Sequence, residues 1–156
     1  MEKAVFQEVV KLLNEGLSLI PVRDKQEVAY DGKLKQAKTP YYGWKKYQAE
    51  RITAPGLEKA MAKAQTEAVA IICGKISGGL EAIDIDSKFK PGIDAVIFAT
   101  IQKLFPRLYE ALRIHKTPSN GYHILYRVVD GEIPGNKKLA GYLEAETEKQ
   151  INFIET

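Results

Sequence analysis

The stretch Leu80-Glu-Ala-Ile-Asp-Ile-Asp-Ser87 limits what this chain can fold into more than any other. Apolar and acidic residues alternate from Ile83 to Asp86, the period of a β-strand with one face toward a core. Ile83 and Ile85 then share one face, and Asp84 and Asp86 the other. Two like charges side by side at the edge of a core repel each other and lose hydration, so an unaided pair is destabilising. A divalent cation relieves both penalties. Magnesium and manganese prefer hard oxygen ligands and keep several waters, so a two-carboxylate platform suits a metal that also grips phosphate. A strand end whose acids face water has the same pattern, and an isolated Asp-x-Asp does not separate the two readings.

With 156 residues, 45% hydrophobic and 28% charged, the chain is long enough to bury a real core and is expected to form a single domain over 1–156. A net charge of +3 permits nucleic-acid binding without arguing for it, so a basic footprint must come from local clustering. The lone cysteine, Cys73, excludes an intrachain disulfide and a multi-cysteine zinc site. It lies in the apolar run Ala68-Val-Ala-Ile-Ile-Cys73 and reads as a small buried hydrophobe. No apolar run approaches the length needed to cross a bilayer, which points to a cytoplasmic protein with no membrane partner.

Phe6, Val9, Val10 and Leu13 recur at helical spacing before Gly16 and predict a helix from about Glu2 to Glu15, followed by a strand over Leu17 to Val22. The segment from Arg23 to Gly43 reads as a long polar connection. In and just after it, Lys33, Lys35, Lys38, Lys45 and Lys46 interleave with Tyr41, Tyr42, Trp44 and Tyr47, the combination that holds phosphates and stacks unpaired bases. A solvated loop whose Trp44 plugs the core fits those residues equally well. Thr53 can cap a second helix with Pro55 in its first turn and Leu57, Met61 and Ala64 inward. Val69 to Cys73 reads as a strand, and Gly74-Lys-Ile-Ser-Gly-Gly79 as a tight turn into the next one, because it lacks the spacing of a P-loop. A third helix carries Ile93, Val96, Ile97, Ile101 and Leu104 inward and stops before Pro106. Strands follow over Leu112 to His115, Tyr122 to Val128 and Gln150 to Glu155. Gly131, Pro134 and Gly135 break the chain, and Asn136 to Lys149 carries no clear period. Three helices and about six strands give an α+β or α/β arrangement with helices packed on a mixed or antiparallel sheet.

Three features now stand together: Asp84-x-Asp86, then Ser119-Asn-Gly-Tyr-His123, then Glu155 closing an apolar strand. The middle one is a turn followed by a strand, where Ser119, the backbone amides near Asn120 and Gly121, and the His123 imidazole can meet phosphate oxygens. A strand histidine is also a common structural residue. His115 has no such turn before it and reads as structural or surface.

In order and spacing the chain resembles the primase-polymerase (Prim-Pol) N-terminal domain of the archaeo-eukaryotic primase superfamily, common in prophage and plasmid replication proteins. The resemblance runs through Gly16-Leu-Ser-Leu-Ile-Pro21, Lys38-Thr-Pro40, Gly43-Trp44, Ala70-Ile-Ile-Cys-Gly74, Leu80 to Asp86, Thr117-Pro-Ser119, Gly121-Tyr-His123 and Ile154-Glu155. It implies an α+β catalytic core made of an RRM-like module and an N-terminal αβ module. It also implies Mg2+ or Mn2+ at Asp84, Asp86 and Glu155, and triphosphate held by Ser119 and His123, with Lys116 alongside. The corresponding activity is template-directed nucleotidyl transfer on DNA, with Lys38, Tyr41, Tyr42, Trp44 and Lys45 toward nucleic acid. A helicase domain downstream is a further expected partner. A metal-dependent nuclease using the same acids, and a non-catalytic nucleic-acid-binding module, are the competing readings. Two departures stand out. Asn120 occupies a position where many relatives carry glycine, and the chain ends at Thr156 where relatives continue into an Arg-Gly-rich turn, as in a C-terminally truncated fragment. A metal ligand one residue from a chain end is expected to fray.

Overall fold

The computed structural model describes residues 3–29, 32–133 and 135–156. Glu2, where the first helix was expected to begin, and the chain-breaking Pro134 lie outside the described residues. The chain divides into two compact units, Met1–Gly79 and Leu80–Thr156.

The first unit opens with α1 (Lys3–Asn14), whose Val9 is buried. Gly16 ends it at φ +89°, with Leu17 N–H donating to Leu12 O and Gly16 N–H to Leu13 O, a Schellman stop that satisfies two terminal carbonyls. Strand β1 (Ser18–Pro21) is buried throughout. The long polar connection contains a small two-stranded piece, β2 (Glu27–Val28) against β3 (Leu34–Lys35), and a bridge from Val22 to Pro40. Helix α2 (Ala54–Ala64) is capped as its sequence predicts: the Thr53 hydroxyl accepts from Gly56 N–H at 3.2 Å, and Leu57 and Met61 are fully buried. Strand β4 (Val69–Ile72) pairs antiparallel with β1, from Ser18 opposite Ile72 to Pro21 opposite Val69. Ile20, Val22 and Ile72 form a core against which Tyr47, Ala68, Ala70 and Ile76 pack. Tyr47 therefore fills the place considered for Trp44, which is exposed. Cys73 is exposed as well, against expectation, because β4 ends at Ile72 and the chain turns away at Gly74.

In the second unit β5 (Leu80–Ile85), α3 (Ile93–Leu104), α4 (Pro106–Ala111), β6 (Arg113–Lys116), β7 (Tyr122–Arg127), β8 (Lys138–Leu143) and β9 (Gln150–Glu155) follow one another. The five strands lie in the order β6-β7-β5-β9-β8, and every pairing is antiparallel, so no mixed sheet forms among the described residues. The turn Gly74–Gly79 does join two strands, but they belong to different sheets. Helix α4 was not expected: Pro106 was read as a stop, yet its fixed φ suits the first turn of a new helix. Strand β8 was hidden in sequence because register shifts at Lys138/Ala140 and Ala140/Gly141 break its alternation.

Register sorts the two sheet faces. Ile83, Ile85, Ile114, Tyr122 and Ile124 share one, with Ile85 and Ile124 buried, and Phe98 of α3 meets the Tyr122 ring edge-on at 5.1 Å. Helix α3 thus covers that face with Ile93, Ile97, Phe98 and Ile101 partly buried, while Val96 and Leu104, expected inward, are exposed. Val96 lies about a third of a turn from the middle of the inward stripe, whereas Leu104 falls in line with Ile93 and Ile97 and is exposed as the last residue of the helix. The opposite face carries Asp84.

Candidate active site

Strand pairing brings together residues far apart in sequence. On β5, Asp84 lies directly opposite His123 of β7 and directly opposite Glu155 of β9. His123 in turn faces His115 of β6, and Glu155 faces Lys138 of β8. Directly opposed residues in antiparallel strands project to the same face about 5 Å apart. One row therefore crosses all five strands: His115, His123, Asp84, Glu155, Lys138. Asp86 follows Asp84 by two residues at the end of β5, where its N–H donates to Phe153 O at 2.9 Å. Just beyond, the Ser87 hydroxyl donates to Asp94 Oδ1 at 3.2 Å and ties the strand end to the first turn of α3.

Each carboxylate has a basic side chain beside it. His123 Nε2 stands 3.6 Å from Asp84 Oδ1, Lys88 Nζ 3.0 Å from Asp86 Oδ2, and Lys138 Nζ 3.7 Å from Glu155 Oε1. The site keeps access to water, since the Asp84 side chain is 55% exposed. Among the described residues no three His, Cys, Asp or Glu side chains are already gathered into a metal cage. The donor chemistry nonetheless fits a hard divalent ion: Asp84 and Glu155 are neighbours on one face, Asp86 follows just past the end of β5, and Asp86 and Glu155 each already have a lysine ammonium beside their oxygens.

The turn before His123 is built around Thr117, whose N–H donates to Gly121 O while its hydroxyl accepts from Gly121 N–H at 3.0 Å. Asn120 takes φ +61°, the left-handed conformation that asparagine tolerates, so its substitution for glycine leaves the turn intact. At Gly121 only glycine fits: a Cβ there would stand 2.5 Å from Ile85 O, because β7 starts close against β5. Ser119 sits exposed in the turn. Lys116 pairs with Tyr122, which places it at the end of β6 on the face opposite His123. The structure thus brings Asp84, Asp86, Glu155 and His123 together and leaves Lys116 off the row.

Glu155 does not sit on a free edge. Strand β9 runs between β5 and β8, Thr156 N–H donates to Lys137 O, Lys137 N–H to the Thr156 hydroxyl, and that hydroxyl to Gly135 O. These bonds counter the fraying expected from sequence position.

The basic-aromatic segment belongs to the first unit. Arg23 organises it: buried, it pairs with Glu27 at 2.8 Å, donates to Pro40 O at 2.8 Å and lies 4.3 Å over the Tyr41 ring. Tyr41 is thereby a framework residue, and burial, then its hydrogen bond to Glu27, holds its hydroxyl above the ordinary tyrosine range. Tyr42 and Trp44 keep exposed rings, Lys38 stands exposed at φ +65°, and Lys45 opens a short 3-10 turn over Lys45–Gln48.

The family model for the N-terminal domain of bifunctional DNA primase/polymerase matches residues 10–154, nearly the whole chain. The chain belongs to this family. A search of curated proteins finds no match. As a primase/polymerase domain it carries a primase- or polymerase-type function, with nucleotides and DNA as the implied substrates. No helix among the described residues is long and apolar enough to cross a membrane.

Sequence reasoning missed Lys88 and Lys138. Lys88 was legible only as a cation close to Asp86 in the chain, since it lies in the turn after β5 rather than on the strand. Lys138 was not, since its strand shows no alternation and its neighbour Glu155 is reached only by pairing.

Proposed function

We propose that the row on the second unit is a nucleotidyl-transfer site, joining nucleoside triphosphates to a primer strand on a DNA template. The observation that carries this reading is the direct opposition of Asp84 to both His123 and Glu155, which sets two carboxylates beside an imidazole on one open face. Asp84, Asp86 and Glu155 would hold Mg2+ or Mn2+, which when bound supplies charge neutralisation at the phosphates and acidifies the attacking hydroxyl. The protein's own part is placement. The sheet fixes Asp84 and Glu155, and the Asp86 N–H bond to Phe153 O holds Asp86 at the strand end; His123 and Ser119 bind and orient phosphate oxygens, and Lys116, on the other face at the strand end, would need to reach round it to join them. In the first unit, Trp44 and Tyr42 offer exposed faces for unpaired bases, with Lys38 and Lys45 for the backbone.

Primer extension on a templated DNA, with wild type and Asp84→Asn side by side, tests this. Wild type extends and the variant loses at least a hundredfold in rate, since one misplaced or missing ligand costs on that order. Degradation of the primer by wild type without triphosphate would point instead to a nuclease. DNA binding with neither reaction and no triphosphate binding would point to a non-catalytic module.

A further inference from the structure

We propose that Lys138 is an exchangeable counter-cation of the acidic row, and that it moves from Glu155 to the triphosphate when the carboxylates take a divalent ion. This rests on the nucleotidyl-transfer reading and adds a phosphate-binding residue to it. Lys138 is the direct strand partner of Glu155, so its backbone is fixed beside the site. Its ammonium, 61% exposed, stands 3.7 Å from Oε1, outside hydrogen-bonding distance, and an exposed pair of that kind is weak. Lys88 differs: it makes a 3.0 Å contact with Asp86 and lies 4.5 Å over the Phe89 ring, two attachments that hold it in place.

The consequence is a competition followed by a handover. While the row holds no dication, the Lys138 ammonium offsets the repulsion between Glu155 and its neighbour Asp84, and so opposes entry of a metal. Once a double positive charge sits on those carboxylates, the ammonium is repelled from it. The strongest anion then within reach of a long lysine stem is the triphosphate, which lysine binds as a point charge. Removing Lys138 should therefore have effects of opposite sign. Metal alone binds more tightly, and metal with triphosphate binds less tightly.

The test is calorimetry on the full chain, first with Mn2+ alone, then with a non-hydrolysable deoxynucleoside triphosphate at saturating Mn2+. Relative to wild type, Lys138→Met binds Mn2+ alone roughly two- to fivefold more tightly. The same variant binds the triphosphate about tenfold more weakly, the scale of a lost charge-assisted bond. Lys138→Arg, which keeps the charge, stays close to wild type in both. Lys149→Met, at the far end of the same hairpin and about 20 Å away along the strands, changes neither, because charge at that distance is screened. If wild type binds both ligands but Lys138→Met shifts neither, shifts both the same way, or behaves like Lys149→Met, the exchange is refuted and the nucleotidyl-transfer reading stands. If wild type binds neither Mn2+ nor triphosphate, both fall together.

Discussion

Gly121→Ala is the substitution for which the structure sets the sharpest expectation. The added Cβ would lie 2.5 Å from Ile85 O, against about 3.4 Å for ordinary contact, so β7 and β5 must part locally by about 0.9 Å. The obstacle is a backbone carbonyl and cannot rotate away. Gly121 does not sit in the left-handed region, so the cost is steric alone. Forcing an extra methyl into such a site costs about 1–3 kcal/mol, which for a chain of this length lowers Tm by roughly 3–10 °C. The parting also acts between the strands that carry His123, two residues past Gly121, and Asp84, one residue before Ile85. A displacement of nearly an ångström there should lower primer-extension rate by on the order of a hundredfold. The assays are thermal denaturation and primer extension, with Gly43→Ala as a comparison, since a Cβ at Gly43 meets nothing within 4 Å. A Gly121→Ala protein that melts and extends like wild type would refute the argument that close strand approach, rather than turn flexibility, requires this glycine.

Four further expectations follow from the same structure. Asp86→Ala should lose most of its Mn2+ affinity by calorimetry, because one carboxylate of the pair chelates poorly; equal titrations would mean that the acids are a solvated strand end, and a more stable variant that they merely repel. His123→Ala should keep the wild-type Tm without ligand and lose at least half of the thermal shift given by triphosphate with Mn2+; a large drop without ligand would make His123 a core residue. Thr53→Ala should destabilise the protein by about 1 kcal/mol in urea unfolding, since it removes the cap of α2; no change would show that water replaces the hydroxyl at no cost. Tyr41 binds its proton more tightly in the folded protein, so its contribution to stability is complete below about pH 10 and lost as pH rises through the raised value. Urea midpoints taken at pH 9 and pH 11 should therefore fall more steeply for wild type than for Tyr41→Phe, and parallel falls would exclude a role for this hydroxyl.

Local rules were enough for much of this protein. The Schellman stop at Gly16, the Thr53 cap, the alternation through Ile83 to Asp86 and the turn before Tyr122 are interactions among residues a few positions apart, and such interactions are written in spacing and residue type. The α+β class follows from them, and the acids and His123 were legible as a set through their order along the chain. What the sequence could not supply is adjacency. That Asp84 has His123 on one side and Glu155 on the other is decided by which strand pairs with which, and in what register, and a one-residue slip would turn each of these side chains to the other face. The same pairing moved Lys116 off the row, brought Lys138 onto it through a bulged strand with no readable period, and secured Glu155 despite its place beside the chain end. Periodicity says that a residue is on a strand face, whereas only the burial of one sheet face under α3 selects the register that sets Asp84, His123 and Glu155 side by side on the opposite face.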